Sequence, residues 1–151
     1  MNAIALLIAT YFGIGRLPGP SGTWGSLAAL PPAALLVWLG GSWLLAAALL
    51  AVALLGWWAS EVYGRESGVT DASEIVVDEV AGQWIPLLIL PFDPAAWATA
   101  FVAFRFFDIV KPWPVSYADR TIRGGLGVMA DDILAGLYAA VLVGGLWIIL
   151  E

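Results

Sequence analysis

Apolar residues run in long blocks along this chain, and the polar ones are confined to a few stretches between them. Residues 2–12 (Asn-Ala-Ile-Ala-Leu-Leu-Ile-Ala-Thr-Tyr-Phe) are apolar but fall short of the roughly 20 residues a helix needs to span a bilayer. They predict a short, partly inserted or re-entrant helix. Residues 13–26, Gly-Ile-Gly-Arg-Leu-Pro-Gly-Pro-Ser-Gly-Thr-Trp-Gly-Ser, have the composition of a loop. Residues 27–60 hold no charged side chain. Gly40-Gly41-Ser42 divides that run into two helices, with Pro31-Pro32 disturbing the first. The pair predicts a helical hairpin that crosses the membrane twice.

The stretch from Glu61 to Glu79 is polar, and Ser73 or Asp71 is placed to cap a helix running on to Leu90. Pro91-Phe92-Asp93-Pro94 reads as a tight turn, after which residues 95–107 return. Lys111-Pro112-Trp113-Pro114 ends that helix, because a proline disfavours helical geometry in the residue before it. A second polar loop runs to Ala130, with glycines at 124, 125 and 127, and a last helix from about Asp131 to Leu150 is long enough to span. The expected fold is all-α. It is an integral membrane helical bundle, one domain over residues 1–151, with the short N-terminal helix and about five further helices. There is no internal repeat.

Composition sharpens this. The hydrophobic fraction is 62% and the charged fraction 12%, against about 45–50% and about 25% in soluble domains. The N-terminus lacks a basic region and a small-residue cleavage site, so no cleavable signal peptide is expected. With no cysteine and no histidine, disulfides, thiolate nucleophiles, zinc-thiolate sites and imidazole chemistry are excluded. A net charge of −6 argues against nucleic acid as a partner. An anionic substrate would have to be met by local cations.

Those cations are placed on one side. Arg16, Arg65, Arg105, Lys111, Arg120 and Arg123 fall in or beside three loops, 13–26, 61–79 and 105–132, while the turns at 40–42 and 91–94 have no lysine or arginine. If each hairpin crosses and returns, the three loops share a face, which the positive-inside rule makes cytoplasmic. Ten of the twelve acids join them, the exceptions being Asp93 and Glu151.

The acids on that face carry the candidate chemistry. Asp71, Glu74, Asp78 and Glu79 fall within nine residues and lead straight into an apolar segment. Charge at membrane depth is costly, so such groups pair, bind an ion or line a polar cavity. Glu74 and Asp78, four apart, would share a helix face, whereas Asp78 and Glu79 diverge by about 100°. The competing reading is a solvated helix start that favours acids through its dipole. Arg105, Asp108 and Lys111 form an i, i+3, i+6 series. That series is either a self-satisfied charge ladder or a site where Asp108 binds metal and the two cations take phosphate oxygens.

Asp131-Asp132 would open the last helix, with Asp131 open to a second reading as an N-cap. The small residues Ala135, Gly136, Ala139 and Ala140 after it permit close helix packing toward Asp78 and Glu79. The glycine-rich loop at 13–26 has no Gly-x4-Gly-Lys-[Ser/Thr] pattern. Its backbone amides could hold an anion, and tight turns would explain it equally. The donors are all hard oxygens, which suit Mg²⁺ and metal-assisted phosphoryl chemistry.

Four stretches together resemble the phosphatidylglycerophosphatase A family: Gly13-Ile-Gly15-Arg-Leu-Pro18 with Gly22-Thr23-Trp-Gly25-Ser26; Asp71…Ile75-Val76-Val77-Asp78-Glu79 with Gly82-Gln-Trp84-Ile85; Phe104-Arg105-Phe-Phe-Asp108-Ile-Val-Lys111-Pro-Trp-Pro114; and Asp119-Arg120…Gly124-Gly125-Leu-Gly127-Val-Met129-Ala-Asp131-Asp132-Ile-Leu-Ala135-Gly136. Ser21 departs from the proline usual in that pattern, and Glu74 falls where the pattern is variable. The resemblance implies a Mg²⁺-dependent phosphatase of the bacterial inner membrane, multi-pass, with its site on the cytoplasmic face. Its expected substrate is phosphatidylglycerophosphate, cleaved to phosphatidylglycerol within the membrane phospholipid. On that reading Asp78, Glu79, Asp108, Asp131 and Asp132 would bind metal, and Asp78, Glu79 and Asp132 would be catalytic, Glu79 or Asp132 activating water. Arg105, Lys111 and Arg120, assisted by Gly22 and Thr23, would bind the substrate phosphate. The rival from another class is a small cation-coupled transporter whose intramembrane acids line a path, and a third reading is a non-catalytic membrane subunit.

Overall fold

Helix α1 (Ala3–Ala9) starts at Asn2, whose side-chain oxygen accepts from the Ile4 and Ala5 amides at 3.1 Å. Thr10 closes it, and one turn of 3₁₀ helix follows at Ile14–Arg16. The structure, a computed structural model, describes residues 1–151 and contains helices without strands.

The expected loop at 13–26 is partly helix. Helix α2 (Ser21–Ala28) follows Pro20 and holds Gly22 and Gly25 inside it. A Cβ on Gly25 would lie 2.8 Å from Val76 Cβ, and one on Gly22 would lie 2.7 Å from Glu79 Oε1. These glycines serve the approach of one element to another, so their turn-like composition misleads. Through Ala29, which keeps helical geometry, α2 runs on into α3 (Leu30–Ser67). Pro31 and Pro32 sit in the first turn of α3, where a missing N–H costs least, and leave its interior undisturbed.

The division at Gly40–Gly41 is present: Gly41 takes φ +67, and both residues leave helical geometry. Gly68, at φ +75, ends the second arm.

Helix α4 (Val77–Leu87) begins later than predicted, after Val76, and neither Ser73 nor Asp71 caps it. Tertiary partners claim the residues before it. The Val76 amide donates to Ala9 carbonyl at 2.9 Å, and the Glu74 carboxylate meets Arg16 Nε at 2.8 Å and the Tyr63 hydroxyl. Glu74 therefore lies outside the helix and does not share a face with Asp78. Asp93 caps α5 (Pro94–Val110) through the Ala96 amide at 2.9 Å. Lys111 ends α5 in the left-handed region.

The second polar loop also contains helix, α6 (Val115–Thr121), and α7 (Gly124–Leu150) starts well before Asp131. Asp131 and Asp132 are thus inside α7 and do not cap it. The Gly125 amide is met instead by Glu61 Oε2 of α3 at 2.7 Å, and a Cβ there would lie 2.5 Å from Trp57 carbonyl.

Helix α7 packs against α3, α4, α5 and α6. Its most extensive packing is with α4, where a Cβ on Gly82 would lie 2.6 Å from the Asp132 carbonyl and Gly136 faces the Gly82 carbonyl. Ala96, Ala100 and Ala103 of α5, with Ala135 and Ala139 of α7, continue the small-residue packing. Small side chains at these positions let the helix backbones approach closely. Two stretches, Ser21–Ser67 and Gly124–Leu150, are long and apolar enough to cross a membrane. Large apolar side chains point outward along them, Trp43 the most open at 88% exposed.

Candidate active site

Helices α4, α5 and α7 each deliver acids to one place. Asp78 and Glu79 come from the first turn of α4, Asp108 from the last turn of α5, and Asp131 and Asp132 from α7. Their oxygens form two groups, Asp78–Glu79–Asp132 and Asp108–Asp131–Asp132, each with ligand atoms within 4.8 Å of one another. Asp132 belongs to both and is only 2% exposed. All five predicted metal-binding carboxylates are therefore brought together.

Two cations reach the cluster. Arg105, on α5, pairs with Asp108. Lys111 Nζ lies 2.7 Å from Asp131, 3.4 Å from Asp119 and 3.7 Å from Asp108. Burial alone would lower the Lys111 pKa, but the Asp131 hydrogen bond and the surrounding carboxylates hold it above the ordinary lysine value. Five carboxylates against two cations leave three negative charges if all are ionised (−5 + 2 = −3). Buried charge without compensation costs several kcal/mol per ion.

Unpartnered atoms point the same way. Asp78 Oδ1, Glu79 Oε2 and Asp132 Oδ2 are buried without a hydrogen-bond donor. The oxygens that lack partners belong to the groups that face one another. That arrangement of hard donors fits a divalent cation such as Mg²⁺.

The phosphate-binding candidates separate in space. Gly22 abuts Glu79 and Arg105: a Cβ there would be 3.0 Å from both terminal guanidinium nitrogens. The Thr23 amide already donates to the Pro20 carbonyl at 3.1 Å. Arg120 stands in the wall of a separate cavity of about 310 Å³, with Asp71, Asp119, Arg123 and Asp131.

Comparison with known proteins bears on this geometry. The sequence profile of the family described as Phosphatidylglycerophosphatase A matches residues 7–147. The chain belongs to that family. It is 40% identical over 136 residues to Phosphatidylglycerophosphatase A of Escherichia coli (strain K12), covering 89% of this chain and 78% of the relative. It is 39% identical over 144 residues to the protein of that name from Haemophilus influenzae, covering 95% and 88%. A relative from Bacteroides thetaiotaomicron, 40% identical over 154 residues and covering 93% and 91%, bears a provisional name as a phosphatidylinositol-3-phosphatase. No solved structure matches the chain.

In this phosphatidylglycerophosphatase A family chain, two residues of interest escaped the reading of the sequence. Gln83 is fully buried, with both amide atoms unpartnered, one turn along α4 from Glu79. Its signal was available: it is the one polar side chain in the apolar run from Val80 to Leu90. Arg123 had no signal beyond its charge.

Proposed function

We propose that the chain hydrolyses the terminal phosphomonoester of phosphatidylglycerophosphate, giving phosphatidylglycerol and phosphate in glycerophospholipid biosynthesis. One observation carries the site assignment: five carboxylates with three orphaned, buried oxygens stand beside Arg105 and Lys111.

Asp78, Glu79, Asp108, Asp131 and Asp132 would hold Mg²⁺. When bound, the cation supplies Lewis-acid polarisation of the phosphoryl group and a more acidic water. Arg105 and Lys111 bind the phosphate oxygens by exchanging part of their pairing with Asp108 and Asp131, so the incoming negative charge meets cations already in place. Glu79 or Asp132 accepts the proton of the attacking water on a carboxylate oxygen that the cation does not occupy. The water oxygen bonds to phosphorus, the ester P–O bond breaks, and the departing glycerol oxygen takes up a proton.

The chain sits in the bacterial inner membrane with several crossings, and the site faces the cytoplasm. Support comes from the placement of lysine and arginine away from 40–42 and 91–94. The exposed Trp38, Trp43 and Phe92 flank those turns, as aromatic side chains do at a membrane interface. A transporter path would need polar groups at both faces, and the far turns carry one acid, Asp93, which is occupied in capping α5.

The test is phosphate release from phosphatidylglycerophosphate by protein purified in detergent, with Mg²⁺ and with chelator. Release should require the divalent ion. Asp78→Asn should lower the rate about 100-fold or more, equivalent to ~2.7 kcal/mol of transition-state stabilisation, while expression and insertion persist. Absence of release under every divalent ion would sink the reading.

A further inference from the structure

The chain has six lysine and arginine side chains, and four of them have a carboxylate partner: Arg16 with Glu74, Arg65 with Glu61, Arg105 with Asp108, and Lys111 with Asp131 and its neighbours. The two that remain (6 − 4 = 2), Arg120 and Arg123, share the wall of the 310 Å³ cavity. Carboxylates are at hand there, since Asp71, Asp119 and Asp131 line the same cavity. Neither arginine pairs with one. Arg120 Nε donates to the Ser116 carbonyl of its own helix at 3.2 Å. In a chain of net charge −6, two arginines in one cavity wall, neither paired with a carboxylate, are poised for an anion from outside.

The cavity adjoins the carboxylate cluster. Asp131 belongs to both, and Asp119, in the cavity wall, reaches Lys111 at 3.4 Å. A ligand with two phosphates joined by a glycerol linker could place one at the cluster and the other over the arginines.

We propose that Arg120 and Arg123 form a second anion subsite that holds the phosphodiester of the lipid substrate, the phosphate that is not cleaved. This rests on the reading of the chain as a phosphatidylglycerophosphate phosphatase. Charge favours a diester there. The cavity's three carboxylates face two arginines, and Lys111 touches Asp119 and Asp131, so a singly charged anion is accommodated better than a dianion. Selectivity for this lipid over one with a lone phosphomonoester follows, because only the former can use both subsites.

The two products each carry one of the two phosphates, which gives the experiment. Inhibition of turnover by dioctanoyl phosphatidylglycerol and by inorganic phosphate is measured in neutral detergent micelles for the parent protein, for Arg120→Gln/Arg123→Gln and for Arg120→Lys/Arg123→Lys. In the glutamine variant the inhibition constant for phosphatidylglycerol should rise about tenfold or more, while that for inorganic phosphate stays within about twofold. KM should rise by more than kcat falls, and the lysine variant should recover part of the loss. An unchanged phosphatidylglycerol constant overturns the inference. So does an equal rise for both inhibitors, the result of general damage to the site. Parent protein that releases no phosphate overturns instead the underlying assignment of activity, and this inference with it.

Discussion

Glu74 and Asp78 lie four residues apart and meet opposite fates. Glu74 receives a hydrogen bond from Tyr63 and another from Arg16, and these, Tyr63 first, hold its pKa below the ordinary glutamate value. Asp78 keeps a buried oxygen without any donor. The first carboxylate ties the loop before α4 to α3 and to the 3₁₀ turn, and the second is free for chemistry. A depressed folded pKa gives stability that is present above the unfolded value, about 4.3, and is lost as pH falls through the lower folded value. Glu74→Gln should therefore reduce the thermal midpoint near neutral pH by about 2–4 °C. The gap from the parent should close as pH drops below that range. Thermal denaturation across pH in detergent checks this, and a gap of constant size would refute it.

At the level of elements, the juxtaposition of α4 and α7 sets the site. Asp78 and Glu79 start one helix, Asp132 lies on the other, and Gly82 and Gly136 let the two backbones close. A Cβ on Gly82 would press on the Phe104 ring and the Asp132 carbonyl, and the latter is backbone and cannot swing aside. Gly82→Ala should cost about 1–3 kcal/mol by overpacking and reduce turnover, since Asp132 must shift relative to Asp78. Gly145 is the control, with nothing within 4 Å of an added Cβ. Gly145→Ala should leave both stability and turnover near the parent values. Thermal midpoints and rates for the pair decide it. Equal effects would show that the α4–α7 spacing does not govern the site.

On the scale of the whole molecule, all the cations and most acids stand away from the Gly40–Gly41 break and the Pro91–Pro94 turn. The chain has no cysteine, so introduced thiols report cleanly. Ser42→Cys and Phe92→Cys avoid the left-handed Gly41 and the capping Asp93, and both sites are exposed. An impermeant thiol reagent should label both in intact cells. A cysteine at Ser73, also exposed, should react only after the membrane is opened. Labelling of Ser42→Cys solely after opening would reverse the orientation and move the site to the outer face.

Several features were legible residue by residue. The excess of apolar side chains goes with two stretches long and apolar enough to cross a membrane, and the Gly40–Gly41 break follows from glycine's backbone freedom. Asp78, Glu79, Asp108, Asp131 and Asp132 stand out because ionised groups next to apolar runs demand compensation. What only the folded chain decides is partnership. Glycines at 22, 25 and 125 look like turns, yet they lie within helices, because a glycine that allows a turn and one that admits a neighbouring element have the same local sequence. Likewise Glu74 is charged like Asp78 and Arg120 and Arg123 like Arg105, and what separates their roles is the set of distant groups each one meets. Local composition fixes what each residue can do, and only through-space proximity selects among those possibilities.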